Sequence, residues 1–172
     1  MGAWEQLDTR ISIELELDEL ESAISSCNGD YLDDVMEYLI EVKENIEKGS
    51  QEAVHLLAVS NRSFQQQLLS DLSLHPYASG TLSSSIVEEQ EDEYSWLIGT
   101  TITHFYPLTV EFGRGEIRPV NAKALVFYSL SGELVFTKYV RPSEPKPFVA
   151  PAYENSLKEA ETVVIECIEN VL

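Results

Sequence analysis

Alternating apolar and polar positions open the chain and then give way to helical spacing. In "RISIELEL" (10–17), isoleucine or leucine at every second position predicts a strand with one buried face. Over residues 17–26 the apolar positions fall three and four apart, which predicts a short helix. "CNGD" then marks a break, with Asp30 as a candidate N-cap. A strand and a helix are therefore expected within residues 10–27.

Residues 31–72 carry the longest helical pattern. Apolar residues recur at steps of three and four from Leu32 to Leu68, which predicts one long helix or two nearly collinear helices jointed at Gly49. At about 1.5 Å per residue, such a helix spans roughly 60 Å. Because this is more than a compact domain of this size needs, the helix either packs on a neighbour or overhangs with solvated ends.

Residues 80–140 show apolar patterns typical of strands, with one short helix predicted among them. "TLSSSIVEEQ" (81–90) and "YSWLIGTTI" (94–102) predict two strands joined across the acidic turn "EEQEDE". Pro107 suits the first turn of a short helix, and Gly113 suits its C-terminal stop. "AKALVFYSL" and "LVFTKYV", which are separated by a Ser-Gly turn, predict a β-hairpin.

A proline-rich arm, residues 141–152, precedes the last helix. Its prolines restrict the backbone to extended conformations, and Phe148 is its large apolar residue. Helical spacing over 155–171 predicts an amphipathic helix, with Ser156 and Glu159 as a capping box. Phe148 either docks on a neighbouring molecule or folds back on its own sheet, and the sequence leaves both open.

Together these elements predict one α+β domain over residues 1–172. An antiparallel β-sheet of four to five strands is expected, flanked by the long N-terminal helix and the C-terminal helix. The chain has no internal repeat and no linker that would divide it. Apolar residues make up 44% of the chain, which is typical of a globular protein rather than a disordered one. No apolar run approaches the roughly 18 residues of a membrane span, so no membrane partner is expected.

The charge is strongly negative and unevenly distributed. The formal net charge is −19; residues 1–94 carry 21 acids against 4 bases, whereas residues 108–147 carry 4 acids against 6 bases. The acidic part argues against binding to a nucleic acid backbone, which needs the opposite sign. Three interpretations remain open: a solvated outer face, a wall that repels passing DNA, or a mimic of DNA.

Candidate chemistry is sparse. His55, His75 and His104 lie far apart and lack a second ligand at metal-binding spacing, and Cys27 and Cys167 are expected as free thiols. "GRGE" lacks the composition of a phosphate loop, and "SGTLSSS" lacks the context of a nucleophilic serine. Glu111 is a conceivable general acid, but it has no partner nearby in sequence. We therefore expect no enzyme, no cofactor and no metal site.

Four motifs in a fixed order give the chain a family resemblance. It resembles the tail-completion (neck) proteins of long-tailed bacteriophages, including those named virion-morphogenesis or head–tail joining proteins. Members of that family typically show "TG-x-L-x-x-SI", "YA-x-x-x-E-[FY]-G", "I-x-P-K-x-AKAL-x-F" and "RP-x-PF-x-x-PA". The resemblance covers roughly residues 10–170. The matching positions taken as candidates for assembly interfaces are Gly80, Leu82, Ile86, Glu111, Phe112, Gly113, Pro119, Lys123, Leu125, Pro147, Phe148 and Pro151.

The resemblance implies a non-enzymatic virion protein that acts in tail completion or head–tail joining. It implies a ring of copies, commonly a hexamer, located in the virion and, during assembly, in the host cytoplasm. The implied partners are a tail-terminator or tail-tube protein on one side and a head-connector protein on the other. DNA would at most pass through the lumen, where like charge would keep it from sticking. Phe148 would anchor the arm on the next subunit.

Two other functions stay open at this stage. An acidic DNA mimic that inhibits a nuclease or restriction enzyme would use the acids as a phosphate-like stripe and would not need the proline arm. A small hydrolase would need a site that assembles only in three dimensions, and the sequence offers no constellation for it.

Overall fold

A helix of 38 residues organises the fold in a computed structural model of the chain, which describes residues 7–27, 33–71, 79–128 and 132–172. In chain order the elements are β1 (Thr9–Ser12), α1 (Asp18–Ser26), α2 (Asp33–Ser70), α3 (Thr81–Ser84), β2 (Ile86–Asp92), β3 (Ser95–Thr100), α4 (Tyr106–Phe112), β4 (Leu125–Tyr128), β5 (Leu134–Thr137) and α5 (Val149–Glu169).

The predicted α+β class is confirmed. The five strands form two antiparallel sheets, one of three strands in the order β1-β3-β2 and one of two strands, β4-β5. In the larger sheet Ile11 lies opposite Trp96, and Glu88 lies opposite Ile98. The helices α2 and α5 are the two long helices expected from the apolar spacing; α2 packs on the larger sheet, and α5 packs chiefly on α2.

The core lies between α2 and the larger sheet. Val54 and Leu57 of α2 pack with Ile86 and Ile98 of the sheet, and Phe148 completes the cluster from the start of α5. All five side chains are almost fully shielded from solvent. Burying an aliphatic or aromatic side chain of this size stabilises a fold by about 1.5–3 kcal/mol. This cluster therefore fixes α2, the sheet and the start of α5 relative to one another.

Helices α2 and α5 approach closely at Gly49. A Cβ atom placed on Gly49 would lie 3.0 Å from the carbonyl oxygen of Cys167 and 3.0 Å from Cα of Ile168. The helix runs without interruption through this position, so the alternative of two helices jointed at Gly49 is wrong. Glycine is present here because the backbone of α5 occupies the space that a side chain would need.

A buried row of polar side chains also joins α2 to α5. Gln65 Nε2 donates a hydrogen bond to Asn61 Oδ1 over 2.8 Å, and Asn61 Nδ2 donates to Ser156 Oγ over 2.9 Å. Ser156 Oγ in turn donates to the carbonyl of Ala152 over 3.1 Å. Each of these groups would cost free energy if buried without a partner, so the two helices fit in the one register that pairs them all.

The buried face of α2 differs from the predicted one. The apolar spacing placed Leu56 on the inner face, whereas Leu56 is exposed and the polar residues Asn61 and Gln65 are buried. Periodicity of apolar residues misses this face because hydrogen bonds to α5, and not apolarity, make these positions suitable for burial.

Strand β1 is shorter than predicted. It ends at Ser12, opposite Ser95, which is the first residue of β3. The alternation of more and less buried side chains continues to Leu17, but none of the described strands pairs along this stretch. The apolar pattern therefore predicted correctly which side chains are more buried, but it predicted too long a strand.

Two further strand predictions need correction around residue 85. Thr81–Ser84, predicted as strand, forms the short helix α3 after Gly80, whose φ is +80°. Local hydrogen bonds favour this turn, since Ser85 Oγ donates to the carbonyl of Leu82 over 2.7 Å. The acidic stretch from Glu88 to Asp92 was predicted as a turn, but it belongs to β2.

The acids of β2 are held in the strand by cations from neighbouring elements. Arg62 of α2 donates to both oxygens of Glu88, each over 2.7 Å, and Arg10 of β1 donates to Glu91 over 2.8 Å. The turn that follows is made by Asp92, which accepts the backbone N–H of Tyr94 over 2.8 Å. Strand pairing with β3 thus outweighs the low strand propensity of these acids.

Helix α5 begins at Val149 rather than at residue 155, and the predicted capping box is wrong. Ser156 lies inside the helix, and Glu159 accepts hydrogen bonds from Ser60 and Asn155 instead of capping the first turn. The proposed N-cap at Asp30 lies outside the described residues.

Candidate interaction surface

The hairpin formed by β4 and β5 exposes an apolar face that none of the other described elements covers. Val126 lies opposite Phe136, and Tyr128 lies opposite Leu134. Directly opposed residues of an antiparallel pair share one face of the sheet. These four side chains, called the hairpin surface below, are between 48% and 74% exposed. They form a contiguous apolar surface of the kind that marks interaction sites.

The opposite face of the hairpin is only partly covered by the chain segments beside it. Ile117 pairs with Val140, and Arg114 pairs with Ser143, in two isolated bridges that hold these segments together. A shallow groove runs between them and the hairpin; it is lined by Arg114, Ile117, Leu125, Val126, Phe127 and Val140. In the described parts of the chain, neither hairpin strand makes an extended contact with any helix or with the larger sheet.

Basic residues flank the two hairpin strands in sequence. Lys123, Lys138 and Arg141 are exposed, and no ion pair involves them among the described residues. Arg118 pairs with Glu116 and lies 5.8 Å from the ring centre of Tyr139. The hairpin surface is therefore apolar and has exposed bases next to its strands in sequence, in contrast to the acidic N-terminal half of the chain.

A second surface, opposite in charge, lies on the N-terminal half of α2. Because successive helix positions turn by about 100°, five exposed side chains share one side of this helix. This acidic face, as it is called below, consists of Asp34, Glu37, Tyr38, Glu41 and Glu44. None of its acids forms an ion pair with a described residue. Lys48 lies one turn beyond Glu44, and Lys43 lies within the same segment but pairs with Glu21 of α1.

The acidic face projects from the packed part of the helix. The buried residues of α2 begin at Gly49, so its first four turns contribute nothing to the core. Helix α1 packs against these turns, and Lys43 donates to Glu21 of α1 over 2.7 Å. This hydrogen bond raises the pKa of Lys43. Helix α1 thus covers one side of the projecting segment and leaves the acidic face open.

Glu111 and Gly113, two of the sequence-predicted interface residues, shape the corner before α5. The buried Glu111 carboxylate accepts the backbone N–H groups of Phe148 over 2.7 Å, Val149 over 3.0 Å and Ala150 over 3.3 Å. These are unpaired donors at the start of α5, so Glu111 caps that helix from outside it. The role of general acid is not supported, because the carboxylate is committed to these three donors.

Gly113 ends α4 with a φ of +71°, a conformation that favours glycine. A Cβ atom here would lie 2.5 Å from the carbonyl oxygen of Ser143 and 2.8 Å from the nitrogen of Pro145. The predicted helix stop at Gly113 is confirmed. The close approach of the arm is a second reason why glycine is needed at this position, and the sequence did not reveal it.

Phe148 is not an exposed anchor. Its side chain is 1% exposed and lies in the core of its own chain. Of the two alternatives, folding back is therefore correct, and docking of Phe148 on a neighbour is wrong. The prolines before it lead the chain past α4, where the N–H of Lys146 donates to the carbonyl of Val110 over 2.8 Å.

The remaining predicted interface residues are distributed over separate parts of the chain. Leu82 and Ile86 belong to the core, and Gly80 precedes α3 on the exposed side. Phe112 is 60% exposed at the end of α4. Five others remain: the partly buried Pro119 and exposed Lys123 in the segment before β4, partly buried Leu125 within it, exposed Pro147 in the arm, and partly buried Pro151 in α5.

Sequence reasoning missed the outer hairpin residues Val126, Tyr128, Leu134 and Phe136. A usable signal was present, because "LVFY" and "LVFT" are apolar on both faces of their strands apart from the final threonine. A strand with two apolar faces needs cover on both sides. The described residues cover one of these faces in part and leave the other exposed.

Catalytic and metal chemistry find little support in the described residues. No group of three or more His, Cys, Asp or Glu side chains could hold a metal ion there. His55 stacks on Trp96 with ring centres 4.6 Å apart, and His75 lies outside the described residues. Burial raises the pKa of the Cys167 thiol, which makes it a poorer nucleophile. Cys27 and Cys167 are both free.

No helix within residues 7–27, 33–71, 79–128 and 132–172 is long and apolar enough to span a membrane. In comparisons with known proteins, no family model, no curated protein and no solved structure matches this chain.

Proposed function

We propose that the chain is a non-enzymatic assembly subunit of a tailed phage or prophage virion, which acts in tail completion as part of a neck ring. One observation carries the proposal: the uncovered hairpin surface formed by Val126, Tyr128, Leu134 and Phe136. The proposal also rests on the resemblance of four ordered motifs to tail-completion proteins.

The stability of the hairpin depends on cover from another surface. An isolated two-stranded hairpin is marginally stable in water and normally needs cover on an apolar face. Here the larger sheet and the long helices make no extended contact with it. A partner that covered the hairpin surface would remove its apolar side chains from water and order the strands at the same time. Such incomplete surfaces are expected of a subunit that completes its fold in an assembly.

The acidity fits a ring that conducts DNA. A surface rich in carboxylates repels the phosphate backbone, so DNA would pass without binding. In this proposal the ring lies between a head-connector protein and a tail-terminator or tail-tube protein. Exposed acids on the inner wall of the ring are an expectation that a structure of the assembly would test.

A second candidate function, inhibition of a nuclease by DNA mimicry, is favoured by a different observation. Asp34, Glu37, Glu41 and Glu44 follow one side of helix α2 and are not ion-paired with described residues. Regularly spaced carboxylates of this kind present charge as a nucleic acid backbone does. This function leaves the apolar hairpin surface without a role, and we therefore rank it second.

Copurification from particle-producing cells tests the proposal. The tagged chain should be recovered in tails or virions together with connector or tail-tube proteins. Tyr128→Ser should lower incorporation into particles because it disrupts the hairpin surface. The matched control is Tyr153→Ser, which changes another exposed tyrosine, on α5 and away from the hairpin surface. Recovery with a single nuclease, and never with particles, would support DNA mimicry and overturn the proposal.

A further inference from the structure

We infer that the hairpin surface of one copy docks on the acidic face of a second copy, in a head-to-tail contact. This inference deepens the proposed function, because it names the partner of the hairpin surface, and its biological setting rests on that function. The contact itself is a property of the purified chain and can be tested without particles.

The two surfaces match in their apolar content. The hairpin surface presents Phe136 and Tyr128, and large apolar side chains are also exposed on the projecting part of α2. Tyr38 lies on the acidic face itself, and Val35 and Ile40 border it. Aromatic side chains at the centre of a contact, with charges around them, are typical of protein interfaces.

The two surfaces also match in charge. Lys123, Lys138 and Arg141 are exposed next to the hairpin strands in sequence, and acids share one side of α2 with Tyr38. Among the described residues, neither group is neutralised by ion pairs within its own chain. Docking would therefore place unpaired bases against unpaired acids, which steers association and fixes its orientation.

Charge also excludes the symmetric alternatives. A contact between two hairpin surfaces would oppose bases with bases, and a contact between two acidic faces would oppose acids with acids. Only the pairing of unlike surfaces is attractive. Such a heterologous contact leaves one hairpin surface and one acidic face free at the ends, so it propagates until a ring closes or a filament grows.

A second copy is the occupant that the surfaces of this chain favour, because among the described residues the hairpin does not reach the acidic face of its own chain. In the described residues, neither hairpin strand makes an extended contact with α2. An unrelated partner with an acidic, apolar surface could compete for the hairpin surface. The acidic face of this chain, however, supplies both properties without invoking another protein.

Sedimentation velocity of the purified full chain is the first test. We expect the sedimentation coefficient to rise with concentration and the association to weaken as salt is added, because rim charges are screened. Phe136→Ser should weaken association by at least roughly tenfold. Tyr153→Ser, outside both surfaces, should leave it unchanged.

Charge reversal supplies the discriminating test. One variant carries Lys138→Glu and Arg141→Glu, and another carries Glu37→Lys and Glu41→Lys. In the first variant both surfaces of the head-to-tail contact are acidic, and in the second both are basic. Neither variant should therefore self-associate. Their mixture restores unlike charges at both kinds of contact and should assemble again. The control, Glu154→Lys with Glu161→Lys on α5, makes the same change in charge as the second variant and should behave as the parent chain does.

Each outcome bears on the contact itself. A parent chain that stays monomeric up to about 1 mM overturns the inference. So does self-association that is unchanged in both charge-reversed variants, or a mixture of the two variants that fails to assemble. Circular dichroism must match the parent chain; if a reversed variant does not fold, Lys138→Gln and Glu41→Gln replace it, and each should then weaken association. A monomer that still copurifies with particles would overturn this contact and leave the proposed function standing.

Discussion

A single carboxylate, that of Glu111, holds the start of the last helix in place. It accepts three backbone N–H groups at the beginning of α5, although 37 residues separate it from Phe148 in sequence. A helix N-terminus carries partial positive charge, so a carboxylate there is favourable both as an acceptor and as an anion. Burial of the same corner makes the loss of this acceptor costly.

Replacement of Glu111 should therefore destabilise the fold. We expect Glu111→Ala to lower the free energy of unfolding by about 2–3 kcal/mol, because three buried or partly buried donors lose their acceptor. Urea unfolding followed by circular dichroism measures the change. Glu144→Gln, at an exposed glutamate of the arm, is the matched control and should stay within about 0.5 kcal/mol. Equal stability of the Glu111→Ala variant and the parent chain would show that Glu111 does not cap α5.

Residue roles of this kind were the least predictable part of the chain. The sequence singled out Glu111 and Gly113 as positions that matter, but it offered no partner for either. Their partners, Phe148 and Ser143, come from a segment that approaches only after folding. For the same reason the sequence could not decide whether Phe148 was an anchor or a core residue.

At the level of elements, the spacing of apolar residues predicted those helices and strands that depend mainly on neighbouring residues in sequence. The apolar spacing predicted α2 and the hairpin β4–β5, whose apolar runs are long or bounded by a clear turn. It missed the end of β1, because a strand ends where its partner ends. It also missed the buried polar row around Asn61, because those side chains are buried only through hydrogen bonds to α5.

The close packing of α2 on α5 gives a prediction at this scale. Gly49→Val should lower the free energy of unfolding by about 2–3 kcal/mol, because the new side chain meets backbone atoms of α5 that cannot rotate away. The matched control is Gly115→Val, at a glycine with open space around it, which should be nearly neutral. Thermal and urea unfolding provide the comparison. A Gly49→Val variant as stable as the parent chain would mean that the helices are not in close contact there.

At the scale of the whole molecule, charge repulsion is the dominant electrostatic feature. With a formal net charge of −19, the folded chain concentrates negative charge that the unfolded chain spreads out. Ions screen this repulsion. The free energy of unfolding should therefore rise as added salt shortens the Debye length to about 10 Å.

We therefore expect the thermal midpoint to increase by a few degrees between about 20 and 200 mM sodium chloride. The Glu37→Lys, Glu41→Lys variant carries less net negative charge and should show a smaller increase. Differential scanning calorimetry at low protein concentration separates this effect from self-association. A midpoint that fell with salt would show that attractive ion pairs, such as Arg62 with Glu88, outweigh the repulsion.

The projecting part of α2 has one further consequence. The helix is clamped from Gly49 onward, and its first 16 residues stand clear of the core as a stiff rod of about 24 Å. A rod clamped at one end acts as a spacer, whose length sets how far apart two docked copies stand and whose rotation sets the angle between them. Inserting four residues into this segment would lengthen it by about 6 Å and rotate its outer face by about 40°. In an assembly built through the acidic face, the number of helix residues between that face and Gly49 would therefore set the curvature.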